Sequence, residues 1–249
     1  RRPRRSPVIS IRTVIPDIQR VPLADTCATA STMPNMSEAI IRAAWLKARM
    51  TGLGSSDAPI VLGVSPFRGA LALYAEKLGL VEPEEETEAM RWGRLLEPLV
   101  ATRYAEETKR ELRDPGRFTL VRSSTHDFMI ATLDREIVAT RPGILEIKTT
   151  GSQKADEWEH EPPIHVQVQA QHQLAVTGWE WGSVAVLIAG NRFLWCDIER
   201  NDRFIAMLIE REAEFMDRLT RLDPPKPDAG SKEILARLYP RDTGASVAL

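Results

Sequence analysis

The stretch GILEIKTT, Gly143 to Thr150, sets a carboxylate and an ammonium two residues apart, Glu146 and Lys148. In an extended strand residues i and i+2 share a face. Glu146 and Lys148 therefore project side by side, with Leu145 and Ile147 on the other face. Upstream, the apolar run FMIATLD ends at Asp134, leaving eleven residues before Glu146. Two carboxylates are hard oxygen ligands that hold Mg2+ and leave positions open for water and a phosphate. A lysine ammonium beside them lowers the pKa of an attacking water or neutralises charge developing on a phosphorane. The set is suited to metal-dependent phosphodiester hydrolysis. A surface ion pair explains the tripeptide equally well. Glu107-x-Lys109 repeats it in a helical stretch, where i and i+2 do not face each other. The tripeptide alone discriminates nothing.

The elements that must position these residues follow from periodicity. Ser37 is placed to cap a helix through EAIIRAAWLKAR, whose apolar residues fall at helical spacing. SSDAPIVLG and GALALYAEKLG read as short helices closed by Gly63 and Gly79. EEETEAMRWGRLLEPLVATRYAEETKR reads as one long helix that restarts or kinks at Pro98, since an interior proline costs about 3 kcal/mol. Strands are predicted at 117–122, 127–133, 136–140, 143–149, 183–189 and 192–198. The helix HVQVQAQHQLAVTG lies between the fourth and fifth, and an amphipathic helix covers roughly 202–220. Helices, then a β-meander, then a strand–helix–strand crossover give an α/β (α+β) domain with a central mixed β-sheet flanked by helices.

The chain of 249 residues is 43% apolar, enough for one sizeable core. Two cysteines, Cys27 and Cys196, argue against a disulfide scaffold and exclude a four-cysteine zinc or iron–sulfur site. No apolar run approaches the roughly 20 residues needed to span a bilayer. Residues 1–20 carry a charge of +5, which leaves −7 on the rest. An acidic remainder needs a local basic groove if it is to hold nucleic acid. Residues 1–36 are expected to be a disordered or artificially added basic extension, with starts conceivable at Met33 or Met36. A transit peptide is the weaker reading of the same arginines, and a twin-arginine signal is disfavoured because no apolar stretch follows them. Residues 37–220 are expected to form the functional domain, and 221–249 a Pro-rich linker and weakly structured tail.

Four stretches, WLKARMTGLGSSD, RWGRLLEP, ATLD…GILEIKT and QVQAQHQLAVTG, occur in this order. In this the chain resembles the lambda-exonuclease-like (YqaJ-type viral recombinase) proteins of the PD-(D/E)XK nuclease superfamily. The resemblance runs from about Ser37 to about Leu219 and implies a restriction-endonuclease-like core. It implies that Asp134 and Glu146 bind metal, with the Ile147 carbonyl as a further ligand and Lys148 as the catalytic lysine. Glu97 matches an active-site helix glutamate acting on or near a second metal, and Gln169 a helix glutamine beside the attacking water. Arg49 and Ser56 match residues that grip a 5′-terminal phosphate.

The implied activity is Mg2+-dependent degradation of linear double-stranded DNA from its ends, 5′ to 3′, in phage-type recombination, with Mn2+ able to substitute. The implied partners are DNA ends, a single-strand annealing protein and further copies of the chain in a ring-shaped trimer. The implied location is the cytoplasm of a bacterium or phage-infected cell, without a membrane. Alternatives are a PD-(D/E)XK endonuclease of restriction or repair type and a catalytically silent DNA-binding relative.

The chain departs from the family pattern in two places. Leu133 and Arg135 flank Asp134 where the family usually has proline and glycine, and Val166 and Gln167 stand where it often has tyrosines. More ordinary roles compete at several positions: solvation for Glu97 and Gln169, packing for Trp45 and Trp92, and packing or surface roles for His126, His165 and His172. These histidines are not spaced as a metal-binding set.

Overall fold

The computed structural model of the chain describes residues 20–21, 38–81, 86–228 and 231–238. Four helices come first: α1 (Glu38–Arg49), α2 (Ala58–Val61), α3 (Ala70–Lys77) and α4 (Glu88–Thr108). Strands β2 (Glu111–Arg113), β3 (Leu120–Arg122), β4 (Ile130–Ala131), β5 (Arg135–Val138) and β6 (Gly143–Thr150) follow. Helix α5 (Ile164–Thr177) crosses over to β7 (Trp181–Ile188), which turns into β8 (Arg192–Glu199). Helices α6 (Asp202–Arg221) and α7 (Lys232–Leu238) complete the order. A two-residue strand β1 (Arg20–Val21) pairs with β3, and β3 with β4, in a small second sheet.

The main sheet runs β2-β5-β6-β7-β8. Only β6 and β7 pair in parallel, which the α5 crossover requires; the other pairings are antiparallel. This is the mixed, helix-flanked sheet expected from the sequence. Strand β6 occupies its centre, so both of its faces are covered. On one face Leu145, Ile147 and Ala185 pack against Val100, Ala101 and Tyr104 of α4. On the other Ile144 and Val184 pack against Val166, Ala170 and Leu174 of α5, with Ile205 of α6 behind. Each fully buried aliphatic side chain contributes about 1.5–3 kcal/mol. The alternation anchors β6 in register, because a slip of one residue would drive Glu146 into the α4 layer.

Several boundaries differ from the sequence expectation. Helix α4 is the one long element expected and does not restart at Pro98. Pro98 is exposed, so water can serve the carbonyl that loses its partner. The helix starts one residue after its cap, Thr87, whose hydroxyl accepts from the Met90 amide at 3.2 Å. The apolar run before Asp134 shrinks to the two residues of β4, and β2 forms where no strand was expected. Residues 232–238, expected in the tail, form α7, whose buried Ile234 packs against Leu71 and Ala75. Arg20 and Val21, expected in the extension, pair with Val121 and Leu120. The Ser37 cap lies outside the described residues.

Candidate active site

Strand β6 is buried from Gly143 to Ile147 and emerges at Lys148, where its carboxyl end opens a crevice beside β7. In open α/β sheets such ends are where ligands collect. Glu146, 5% exposed, sits at the transition, and Lys148 shares its face. The Lys148 ammonium donates to Glu146 Oε1 at 2.5 Å. The Gln173 amide of α5 donates to the other oxygen, Oε2, at 2.6 Å. Asp134, in the turn entering β5, accepts from the Ile147 amide at 2.7 Å through Oδ2. That bond ties the turn to the centre of β6 and sets the two carboxylates side by side.

The electrostatics follow from this crowding. Desolvation, then the Glu146 charge, push Asp134 well above the ordinary carboxylate range; Glu97 adds to this, while Lys148 and the Ile147 amide oppose it. Burial alone would lower Lys148, but the Glu146 and Asp134 carboxylates outweigh it and raise its pKa. Lys148 is thus an ammonium at neutral pH, a donor and a charge rather than a base.

The second half of the site is the turn after α1. Gly52 is required here, because a Cβ would lie 2.4 Å from the Phe128 carbonyl oxygen. The close approach lets Leu53 bridge to Met129 beside β4. Lys77 of α3 donates to the Arg49 and Gly52 carbonyls at 3.0 and 2.6 Å and pairs with Asp57 at 2.8 Å. Burial would raise the Asp57 pKa, but the Lys77 and Arg49 charges hold it below the ordinary range. Against this fixed turn the Arg49 guanidinium donates to Ser56 Oγ at 3.0 Å and stacks 4.8 Å from the Trp45 ring centroid. The Gly54 amide is already taken by Asp57 at 2.9 Å, and α2 has only four residues. The donor groups of this turn that line the cleft include the Arg49 and Ser56 side chains, and α2 is too short to add a helix dipole.

Arg49, Ser56, Asp134, Glu146, Lys148 and Gln169 all line one cleft of about 170 Å3. Ile147 lies between the carboxylates and contributes its amide to Asp134. Glu97 does not line the cleft. It reaches the site from α4, the opposite layer, and its Oε1 accepts from Arg135 at 2.5 Å. Arg135 stands where the family pattern has glycine; it also donates to the Asp134 carbonyl, so the changed turn is braced by a guanidinium. Trp45 is half-buried and donates to Thr132 Oγ1 at 3.2 Å, whereas Trp92, expected in the core, is 54% exposed. His172 is a packing residue, bonded to Glu212 and the Ile130 carbonyl.

Sequence reasoning missed Arg135 and Gln173. Nothing in the sequence marks Arg135. Gln173 stands four residues after Gln169, one helical turn along the same face, and that spacing was a usable signal.

Among the described residues no three His, Cys, Asp or Glu side chains converge as a ready cage for a metal. Asp134 and Glu146 still suit Mg2+, which is usually held by one or two carboxylates with water and substrate phosphate completing the shell. An Asp134 carboxyl pushed up by desolvation and the Glu146 charge, and buried Gln169 and Gln173 carbonyl oxygens without partners, give the cleft a chemistry that suits a cation.

Residues 44–180 match the YqaJ-like viral recombinase domain. The chain is 36% identical over 221 residues to the uncharacterized protein YqaJ of Bacillus subtilis (strain 168), covering 86% of this chain and 68% of that one. Its fold is similar to the alkaline exonuclease LHK-Exo of Laribacter hongkongensis, with a TM-score of 0.62 at 24% identity over 72% of this chain and 93% of the other. LHK-Exo in complex with dAMP matches with a TM-score of 0.61 at 22% identity, over 78% and 95% of the two chains. A phage related exonuclease from Haemophilus somnus 129PT matches at 0.53 and 13% identity, over 69% and 94%. With the family model spanning the turn that holds Arg49, both cleft carboxylates and the glutamine helix, the chain belongs to the YqaJ-like viral recombinase domain family.

Proposed function

We propose that the protein is a Mg2+-dependent deoxyribonuclease that degrades linear double-stranded DNA from its ends. One observation carries this reading: the carboxylate–lysine set and the Arg49–Ser56 pair line the same cleft. A hydrolytic centre beside a grip for a phosphate is what an end-directed enzyme needs. A terminal phosphate carries nearly two negative charges at neutral pH, and a planar guanidinium offers it paired donors. A 5′-to-3′ direction follows if the gripped phosphate is the 5′ one. The relative crystallised with dAMP binds a mononucleotide, the product class this reaction would release.

In this mechanism Asp134 and Glu146 would hold the cation, with Glu97 close enough to act on Asp134. When bound, the cation would supply Lewis-acid polarisation of the scissile phosphate and a lowered pKa for the attacking water. Lys148, held as an ammonium, stabilises charge that develops on the phosphorane oxygens. Gln169 orients the water from α5. The Ile147 amide keeps Asp134 turned toward Glu146.

The test is a time course on one linear duplex with 5′-phosphate or 5′-hydroxyl ends, in Mg2+ or EDTA, at fixed moderate salt because phosphate contacts are salt-sensitive. Degradation is expected only with Mg2+ and faster on phosphorylated ends. Arg49→Ala should shrink that preference by at least about tenfold, the lower end of what one charge-assisted contact of about 1.5–3 kcal/mol supplies, while cleavage of hydroxyl ends keeps its rate. Equal rates on both ends in the parent protein would remove the end grip. Cutting of closed circles would favour an endonuclease.

A further inference from the structure

Helix α5 carries two buried glutamines that point in different directions. Gln171, 7% exposed, has both ends of its amide satisfied: Nε2 donates to the Glu199 carbonyl at 2.8 Å, and Oε1 accepts from the Asn201 amide at 2.9 Å. It fastens α5 to the entry of α6. Gln173, 1% exposed, faces the cleft. Its Nε2 donates to Glu146 Oε2 at 2.6 Å, with a long 3.4 Å contact to Ser55 Oγ in the Arg49 turn. A carboxylate only accepts, so the amide orientation is fixed by chemistry: nitrogen toward Glu146, oxygen away from it. That oxygen, Gln173 Oε1, is buried without a partner, as is Gln169 Oε1 one turn earlier. A buried carbonyl left unpaired costs about 1–3 kcal/mol. Two such acceptors lining one cleft beside two carboxylates call for a shared donor, and water is the donor of the right size.

We propose that Gln173 is a positioning residue for phosphodiester hydrolysis, one that nothing in the sequence pattern assigned. Its amide nitrogen fixes the orientation of Glu146, with Lys148 holding the other oxygen, so the carboxylate cannot rotate. Its carbonyl oxygen, paired with that of Gln169, holds a cleft water between α5 and the carboxylates. The contact to Ser55 links Glu146 to the turn that presents Arg49, so one side chain touches both halves of the site. The inference rests on the reading of Asp134 and Glu146 as cation ligands.

The test compares Gln173→Met with Gln171→Met in the full chain. Mn2+ binding is measured by calorimetry without DNA, and kcat and KM are measured on linear duplex at saturating Mg2+. Loss of a group that orients a metal ligand typically weakens metal affinity or activity 10–100-fold. Gln173→Met should weaken Mn2+ binding at least tenfold and lower kcat by a similar factor, with KM for DNA within threefold. Gln171→Met should lower the melting temperature and leave Mn2+ affinity unchanged. Gln173→Asn, which keeps the amide but withdraws it by one methylene, serves if the methionine variant does not fold, and should also weaken Mn2+ binding. Mn2+ affinity and kcat within twofold of the parent in a folded Gln173 variant would overturn the inference while leaving the nuclease reading intact. A parent protein that binds no Mn2+, or binds it equally after Asp134→Asn, would overturn the metal reading and this inference with it.

Discussion

The chain contains Glu-x-Lys twice, and the two copies have opposite fates. Glu146 and Lys148 lie on the central strand, share a face and meet at 2.5 Å, with Glu146 5% exposed. Glu107 lies in the last turn of α4, where it pairs with Arg103 at 2.7 Å, and Lys109 is the left-handed C-cap residue of that helix at φ 58°. The same residue types do different work because a strand aligns i with i+2 and a helix separates them. Surroundings widen the gap. Glu146 is wedged between a lysine, a buried glutamine and a second carboxylate, whereas Glu107 meets solvent. His172–Glu212 is the informative third case: both side chains are fully buried and bonded at 2.8 Å, yet neither lines the cleft. Burial and pairing are common to both pairs; what sets Glu146–Lys148 apart is its position at the open end of the parallel strand pair.

The comparison can be broken at several points. The largest expected effect is at Asp134. Asp134→Asn should abolish Mg2+-supported cleavage while DNA binding persists, because an amide is a poorer ligand for a hard cation. Since desolvation and Glu146 disfavour the Asp134 charge, the same variant in EDTA should melt about 2–4 °C higher, corresponding to roughly 1 kcal/mol in a chain of this size. A fall in melting temperature would mean that the carboxylate supports the fold instead.

Next comes Glu212→Ala, which should cost about 3–5 kcal/mol by leaving a buried partner uncompensated and barely change the kcat of the folded fraction. Burial would lower the His172 pKa, but the Glu212 charge, their hydrogen bond and the Ile130 carbonyl raise it above its ordinary 6.5. A raised imidazole stabilises fully below that value, and its contribution fades as pH rises through the folded value. The Glu212→Ala penalty in urea melts should therefore be larger at pH 6 than at pH 9. An equal penalty would mean that the pair is held by packing alone.

Lys148→Ala should slow turnover about 100- to 1000-fold, the scale of losing one transition-state electrostatic partner, with intact folding. Near-normal turnover would reduce Glu146–Lys148 to a structural ion pair. The smallest effect belongs to the other copy of the motif. Glu107→Gln should change stability by no more than about 0.5 kcal/mol, the worth of an exposed i,i+4 pair, and leave the rate untouched. A rate loss there would erase the contrast between the copies.

The sequence by itself determined the order of the elements from α1 to α6, β2 excepted, and the face-sharing of Glu146 with Lys148. Both are consequences of local periodicity, which strands and helices impose regardless of the rest of the chain. It also marked Asp134, Gln169, Arg49 and Ser56, through short stretches whose order matched a family. Only the tertiary structure decided what surrounds them. That Arg135 turns back to Glu97, that Lys77 and Asp57 lock the Arg49 turn, and that Gln173 donates to Glu146 all depend on contacts across 20 to 38 residues of chain. Such contacts leave no period in the sequence, because the partners are set by how layers stack and not by their spacing. That α4 does not restart at Pro98 has the same reason: the cost of an interior proline depends on whether water reaches the freed carbonyl, which only the exposure of that face of α4 decides.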